Sequence, residues 1–225
     1  MAEIHGTAGE WARVKGTVVG LLPVFAAVFA AGVSVATALL GHYITGMTML
    51  LASLGAGCVG LVNGFKRIER HFVGARGEER VSQLLSALPD KYHVFNDFVA
   101  GSFHVDHVVA GPAGVFALET KFWRGKVSIE DGRILVDGRR PSRSPLVQVQ
   151  REASAVKAAL EKSGWNGAVT PLLVFASDSF DSRMAELNGV VVLNSSELLG
   201  GFTTERVVVA PDELDRLISL MENNI

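Results

Sequence analysis

The chain has one cysteine, Cys58, among its 225 residues, so no disulfide can form within it, and this fits a reducing compartment. Strong net charge is also missing. The formal charge of −2 at pH 7 argues neither for nor against a nucleic-acid partner. No internal repeat and no low-complexity linker is visible. Charge is absent altogether from two long runs. Thr17 to Leu40 reads "TVVGLLPVFAAVFAAGVSVATALL", and Tyr43 to Phe65 follows after a short loop. A bilayer core about 30 Å thick needs about 20 apolar residues, and each run supplies them. The first run exceeds a secretory h-region and a second run follows at once, which argues against a cleaved signal peptide.

The two runs predict a transmembrane hairpin over residues 17–40 and 44–64. Ala26, Ala30, Ser34 and Ala38 form one small-residue stripe, and Ala52, Ala56, Gly60 and Gly64 form another. Such stripes let membrane helices approach closely. Arg13 and Lys15 precede the pair, Lys66, Arg67 and Arg70 follow it, and the loop Gly41-His42-Tyr43 has neither Lys nor Arg. The positive-inside rule then places both ends in the cytoplasm, giving a multi-pass protein of the cell (inner) membrane. The expected organisation is a cytoplasmic tail over 1–16, the two spans, a basic linker over 65–73 and a soluble domain over 74–225.

The soluble part alternates helical and extended patterns. "GEERVSQLLSALP" carries Val81, Leu84, Leu85 and Leu88 at helical spacing. Glu78 falls on that apolar face, whereas Glu79 joins Ser82, Gln83 and Ser86 on the other. Tyr92 to Val99 predicts a strand. "KVSIEDGRILVDG" predicts a hairpin turning at Asp131-Gly132. Ser144-Pro145 predicts an N-cap and first helical position, opening a helix to about Glu161 with a stripe of Leu146, Val149, Ala153, Val156 and Leu160. "PLLVFAS" and "GVVVLN" predict buried strands, Ser195-Ser196-Glu197 a short helix, and Pro211 the start of the last one.

Chemistry concentrates in "FHVDHVVAGPAGVFALETKFW", residues 103–123. Gly111-Pro112-Ala113-Gly114 marks a tight turn, so the stretch predicts a hairpin. If the turn centres on Pro112-Ala113, Asp106 lies opposite Glu119 and His104 opposite Lys121, all on one face. Two carboxylates opposed across a ladder repel, and a lysine or a divalent cation between them removes the repulsion. An oxygen-rich site suits Mg²⁺ or Mn²⁺, and a hard cation beside a lysine is equipped for phosphate-ester hydrolysis. Strand histidines are more often packing groups, so His104 and His107 stay outside the catalytic set. From Lys121 to Lys157 there are nine Lys or Arg against four acids. Of these, Arg124, Lys126, Arg139, Arg140 and Arg143 are candidate phosphate contacts.

Three segments, "GARGEERV", "VDHVVAGPAGVFALETKFWRGKV" and "SPLVQ", resemble the nuclease-related domain (NERD), which is similar to the PD-(D/E)xK nuclease superfamily. The likeness covers about residues 74–164 and includes motif order: G-x-x-G-E, an Asp strand, G-x-x-x-x-E-x-K, then S-P-x-x-Q. Ser144 stands where the family often has Asn, a change that keeps the cap. The resemblance implies an α/β fold of the α+β kind, with a mixed, restriction-endonuclease-like sheet flanked by helices. It implies Asp106, Glu119 and Glu78 as ligands of Mg²⁺ or Mn²⁺, and Lys121 and Gln148 as further catalytic residues. The expected function is a membrane-anchored, metal-dependent nuclease acting on nucleic acid at the cytoplasmic face, with DNA favoured over RNA. The alternative is a catalytically silent nuclease-like domain serving as a nucleic-acid-binding or membrane scaffold module. Oligomeric state stays open.

Overall fold

The computed structural model describes residues 1–177, 179–180, 182, 184–202 and 208–222. They divide into two compact units, one of residues 1–10 with 74–225 and one of residues 11–73.

The smaller unit holds α1 (Glu10–Leu39) from Trp11 onward and the first part of α2 (Tyr43–Leu85). Both helices are long and apolar enough to cross a membrane. Their apolar side chains point outward: Phe25, Val28, Phe29, Leu51, Leu54 and Val62 are all exposed, while Gly20, Ser34, Ser53, Gly60 and Gly64 are buried. That is the reverse of a water-soluble helix pair. The Ser34 and Ser53 hydroxyls donate to the carbonyls of Ala30 and Leu50, so neither is left unsatisfied in apolar surroundings. The contact line runs Gly20–Gly64, Pro23–Gly60, Ala27–Gly57 and Ala38–Gly46. The expected stripes therefore hold at Ser34, Ala38, Gly60 and Gly64. Ala26, Ala52 and Ala56 are exposed, and Ala27, Ser53 and Gly57 stand on the seam instead. A strict four-residue repeat drifts off a helix of 3.6 residues per turn, which accounts for the one-residue slip. Residues 65–73, read as a linker, are helical and part of α2.

A Cβ at Gly64 would collide with the Gly20 carbonyl oxygen, whereas one at Gly55 would meet nothing within 4 Å. Gly64→Ala should lower the stability of the detergent-solubilised protein by about 1–3 kcal/mol, as overpacking does. Gly55→Ala should leave it unchanged, and equal melting temperatures of the two variants would refute this seam.

The larger unit is built on β1 (Glu3–His5), β2 (His93–Ala100), β3 (Phe103–Gly111), β4 (Gly114–Lys121), β5 (Val127–Glu130), β6 (Arg133–Val136), α3 (Pro145–Lys162), β7 (Val169–Phe175), β8 (Met184–Leu187), β9 (Val190–Asn194) and α4 (Pro211–Glu222). Seven strands form one mixed sheet in the order β1-β2-β3-β4-β7-β9-β8, and β5-β6 form a separate two-stranded ribbon. This is the expected mixed α+β fold with flanking helices. The β2-β3-β4 meander is antiparallel, and α3 then carries the chain to β7, parallel to β4. Val81 and Leu85 of α2 pack on one face, against Val94, Val109, Phe116, Leu118, Leu172 and Val174. The other face carries Ala153, Val156 and Leu160 of α3 and Leu214, Leu217 and Met221 of α4.

Local signals behaved as their chemistry dictates. Asp131 and Gly132 both adopt positive φ, 49° and 69°, the turn that Asp-Gly favours between β5 and β6. Ser144 caps α3, its hydroxyl accepting from the Val147 N–H at 3.5 Å. Two strands lay outside the sequence reading. β8 pairs antiparallel with β9, and β1 pairs parallel with β2, Glu3 opposite His93. Residues 1–10, read as part of a tail, thus complete the sheet edge.

Candidate functional site

The β3-β4 register is the expected one, from Gly111 opposite Gly114 to His107 opposite Leu118. There the ladder stops. β3 stays paired with β2 through Val105, His104 and Phe103, while β4 continues on β7 through Lys121. The freed Thr120 N–H donates to the Asp106 carboxylate, Oδ2, at 2.7 Å. Asp106 and Glu119 thus occupy the step where the two strands part, and a carboxylate takes over a backbone hydrogen bond that a closed ladder would have used.

The same step is irregular on β2. Asn96 pairs with His107 and Phe98 with Val105, and Asp97 between them has φ of 50°. A left-handed residue inside a strand shifts the alternation, and Asp tolerates that conformation better than most residues. The consequence is visible in the packing, where Phe95 and Phe98 face the same apolar cluster despite their odd spacing. Asp97 joins the site electrostatically through Glu78.

Glu78 arrives from α2 and is buried, whereas Glu79 is only half-buried, as the helix phase predicts. Gly77 explains part of the G-x-x-G-E motif. A Cβ there would lie 2.9 Å from Cβ of Phe122, next to Lys121, so glycine lets the helix close on the end of β4. The Gly9 N–H hydrogen-bonds the Glu78 carboxylate, bringing residues 1–10 to the site.

Lys121 is the positive centre. Its Nζ donates to Glu119 Oε1 and, at 3.1 Å, to Gln148 Oε1. Gln148 in turn donates Nε2 to Glu152 Oε1 at 2.9 Å. Gln148 and Glu152 stand one turn apart on α3, so the helix inserts an amide between the lysine and a further acid. Glu152 is buried and shares a side-chain hydrogen bond with Glu119, which one of the two carboxyl groups must donate as the protonated acid.

Burial pushes the Glu78 carboxyl up to about 7, assisted by Asp97 and Glu119. Burial raises Glu152 to about 8, assisted by Glu119. Asp106 is held well above the usual carboxylate range by burial, then by Glu119 and Glu78. Burial acts to lower Lys121, but Glu119, Asp106 and Glu152 outweigh it and hold the ammonium above its ordinary value. Three of the five acids around the lysine, Glu78, Asp106 and Glu152, thus hold their protons more tightly than free carboxylates do. Oxygen donors of this kind are those a hard divalent cation takes, but they are not gathered as a ligand set here: among the described residues only Glu3, His5 and His93 bring ligand atoms all within 4.8 Å of one another.

All five residues expected at the catalytic centre are therefore brought together, and Asp97 and Glu152 are added to them. Glu152 lay within reach of sequence reasoning, since it falls three residues after Val149 and four before Val156 on the buried stripe. Asp97 gave no periodic signal. The basic candidates are all exposed: Arg124 and Lys126 lie between β4 and β5, and Arg139, Arg140 and Arg143 between β6 and α3. His107 is fully buried, its ring accordingly pushed down to about 3, with Nδ1 2.8 Å from Asn96 Oδ1, a packing role.

Comparison with known proteins agrees with the motifs. Residues 73–176 match the family model described as nuclease-related domain, NERD, a domain of the general PD-(D/E)xK kind. No curated protein and no solved structure matches the chain.

Proposed function

We propose that the larger unit is a nuclease dependent on Mg²⁺ or Mn²⁺, held at the cytoplasmic face of the cell membrane by α1 and the first part of α2, with DNA as the favoured substrate. The observation that carries this reading is the cluster of buried carboxyl groups around Lys121, whose pKa values are raised by burial and by one another. Asp106, Glu119 and Glu78 would hold the divalent cation, which would supply Lewis-acid activation of the scissile phosphate and of the attacking water. Lys121 supplies a fixed positive charge for the phosphate as negative charge develops on it, and stays protonated at neutral pH because its acidic neighbours raise its pKa. Gln148 orients that ammonium from the side of α3, and Glu152 orients Gln148. The Thr120 N–H fixes the Asp106 carboxylate. Arg124, Lys126, Arg139, Arg140 and Arg143 draw the phosphate backbone by charge, so binding should weaken with salt.

The test is cleavage of supercoiled and linear DNA by the full-length protein in detergent, with Mg²⁺, with Mn²⁺ and with EDTA. Cleavage confined to the metal-containing reactions is expected. Equal rates in EDTA would overturn the reading, and DNA binding without cleavage under any metal would favour the silent module. The full chain is needed because a fragment starting near Phe72 lacks β1 and Gly9.

A two-crossing arrangement has independent support. β1 precedes α1 and β2 follows α2, and their pairing in one sheet supports an even number of crossings between them. Lys and Arg flank the helices and are absent between them, which selects the cytoplasm. A reporter that works only in the cytoplasm, fused after Ile225, should be active, and activity only of a periplasmic reporter would refute this.

A further inference from the structure

A second cluster of ligand atoms stands at the outer edge of the sheet, on β1 and β2. Glu3 and His5 alternate onto one face of β1, and His93 lies opposite Glu3. One ligand atom from each residue falls within 4.8 Å of the others. His5 Nε2 is 3.3 Å from His93 Nδ1, and His93 Nδ1 is 3.6 Å from Glu3 Oε2. Two nitrogens bound to one tetrahedral Zn²⁺ at about 2.0–2.1 Å stand roughly 3.3–3.4 Å apart. The imidazole pair already has that spacing.

The surroundings favour ligation over a chance meeting of side chains. The His5 ring stacks on Phe95 with centroids 4.4 Å apart, which holds its orientation. Its other nitrogen, Nδ1, faces the Glu222 carboxylate of α4 at 3.7 Å. A carboxylate on the far nitrogen favours the tautomer whose Nε2 lone pair is available to a metal. The two imidazoles are mostly buried, with side-chain exposures of 12% and 16%, while Glu3 at 63% leaves the site open on one side. Two imidazoles and one carboxylate suit zinc and its neighbours rather than Mg²⁺, which prefers an all-oxygen shell.

We propose that Glu3, His5 and His93 bind one Zn²⁺, with water in the fourth position and Glu222 orienting His5, and that the ion fastens β1 to β2. β1 contributes only three paired residues, Glu3 to His5, so a cross-link there adds substantially to a short ladder. The site is separate from the carboxylate cluster. His93 and Asp97 are both on β2, about 13 Å apart along the strand.

The test is titration of tag-free, chelator-treated full-length protein in detergent with Co²⁺ as a visible probe, in excess Mg²⁺ so that the carboxylate site is occupied. One equivalent of Co²⁺ should bind with the absorption bands of tetrahedral coordination, and Zn²⁺ should displace it. His5→Gln and His93→Gln should remove the bands. Glu3→Gln, an exposed change that leaves packing intact, should weaken binding tenfold or more. Glu222→Gln should weaken it by about 10–100-fold, as loss of an orienting partner does. Asp106→Asn should bind like the parent. Absence of the bands in the parent, their persistence in both His93→Gln and Glu3→Gln, or their loss in Asp106→Asn would overturn the proposal.

Discussion

Lys121→Ala is expected to reduce metal-dependent cleavage by about 10²–10³-fold, the loss seen when one preorganised charge-stabilising group is removed, while DNA binding changes only a few-fold. Lys121 is joined to Glu119 directly and to Glu152 through Gln148, so it sets the position of three side chains as well as supplying charge. Lys121→Arg should not restore the rate, because a planar guanidinium cannot take the place of a compact ammonium between a carboxylate and an amide. Gln148→Ala should produce an intermediate loss by releasing the ammonium from α3. The measurement is the initial rate of plasmid nicking beside a binding isotherm for the same DNA. Full activity in Lys121→Ala would remove this lysine, and with it the nuclease mechanism.

Asp106→Asn should abolish cleavage and yet leave the metal-free protein as stable as the parent, or more so. Asn keeps the oxygen that accepts from Thr120 and removes a charge that Glu119 and Glu78 oppose. The sign of the pH dependence follows from the raised carboxyls. Glu78 holds its proton to about pH 7 and Glu152 to about pH 8 in the folded protein, both above their unfolded values. Between the unfolded and folded values the native state binds more protons, so stability falls as pH rises through this window. In EDTA the parent should melt progressively lower from about pH 5 to pH 8, by roughly 2–4 °C for each kcal/mol lost. Asp106→Asn should show a shallower slope. Mg²⁺ at a hundredfold excess over its Kd should restore about 2.7 kcal/mol to the parent, and much less to the variant. A parent whose melting temperature is flat over this range, or an Asp106→Asn variant that is clearly less stable in EDTA, would make Asp106 a structural partner of Lys121.

Much of this site could be read from residue order because its parts sit on elements with strong local signals. The hairpin register followed from Gly111-Pro112-Ala113-Gly114, and the inward position of Glu78 from helical spacing. Gln148 was legible only through the resemblance, as the glutamine of S-P-x-x-Q, while the cap at Ser144 placed the helix that carries it. What escaped depends on long-range geometry. The parting of β3 from β4 after His107 is set by which neighbour each strand keeps, β2 or β7, and no local pattern encodes that choice. Asp97 lies in an otherwise ordinary strand, and only its φ of 50° shows why it belongs to the site. β1 has three residues, too few for a periodic signal, and its partner is far away in the chain.

That distance has a consequence for how the protein is made. His5 and His93 are 88 residues apart, and both long helices are synthesised between them. At about 5–20 residues per second, β1 waits roughly 4–18 s for β2 to exist. Closing the β1-β2 ladder is therefore a late event, and under the proposed two-crossing topology it follows the threading of both helices. A chain in which one helix failed to cross would keep β2 as an open sheet edge, a template for aggregation and a mark for proteolysis. Under that topology the short strand would complete the sheet edge only in molecules whose two helices both crossed or both stayed out, and would mark those with a single crossing.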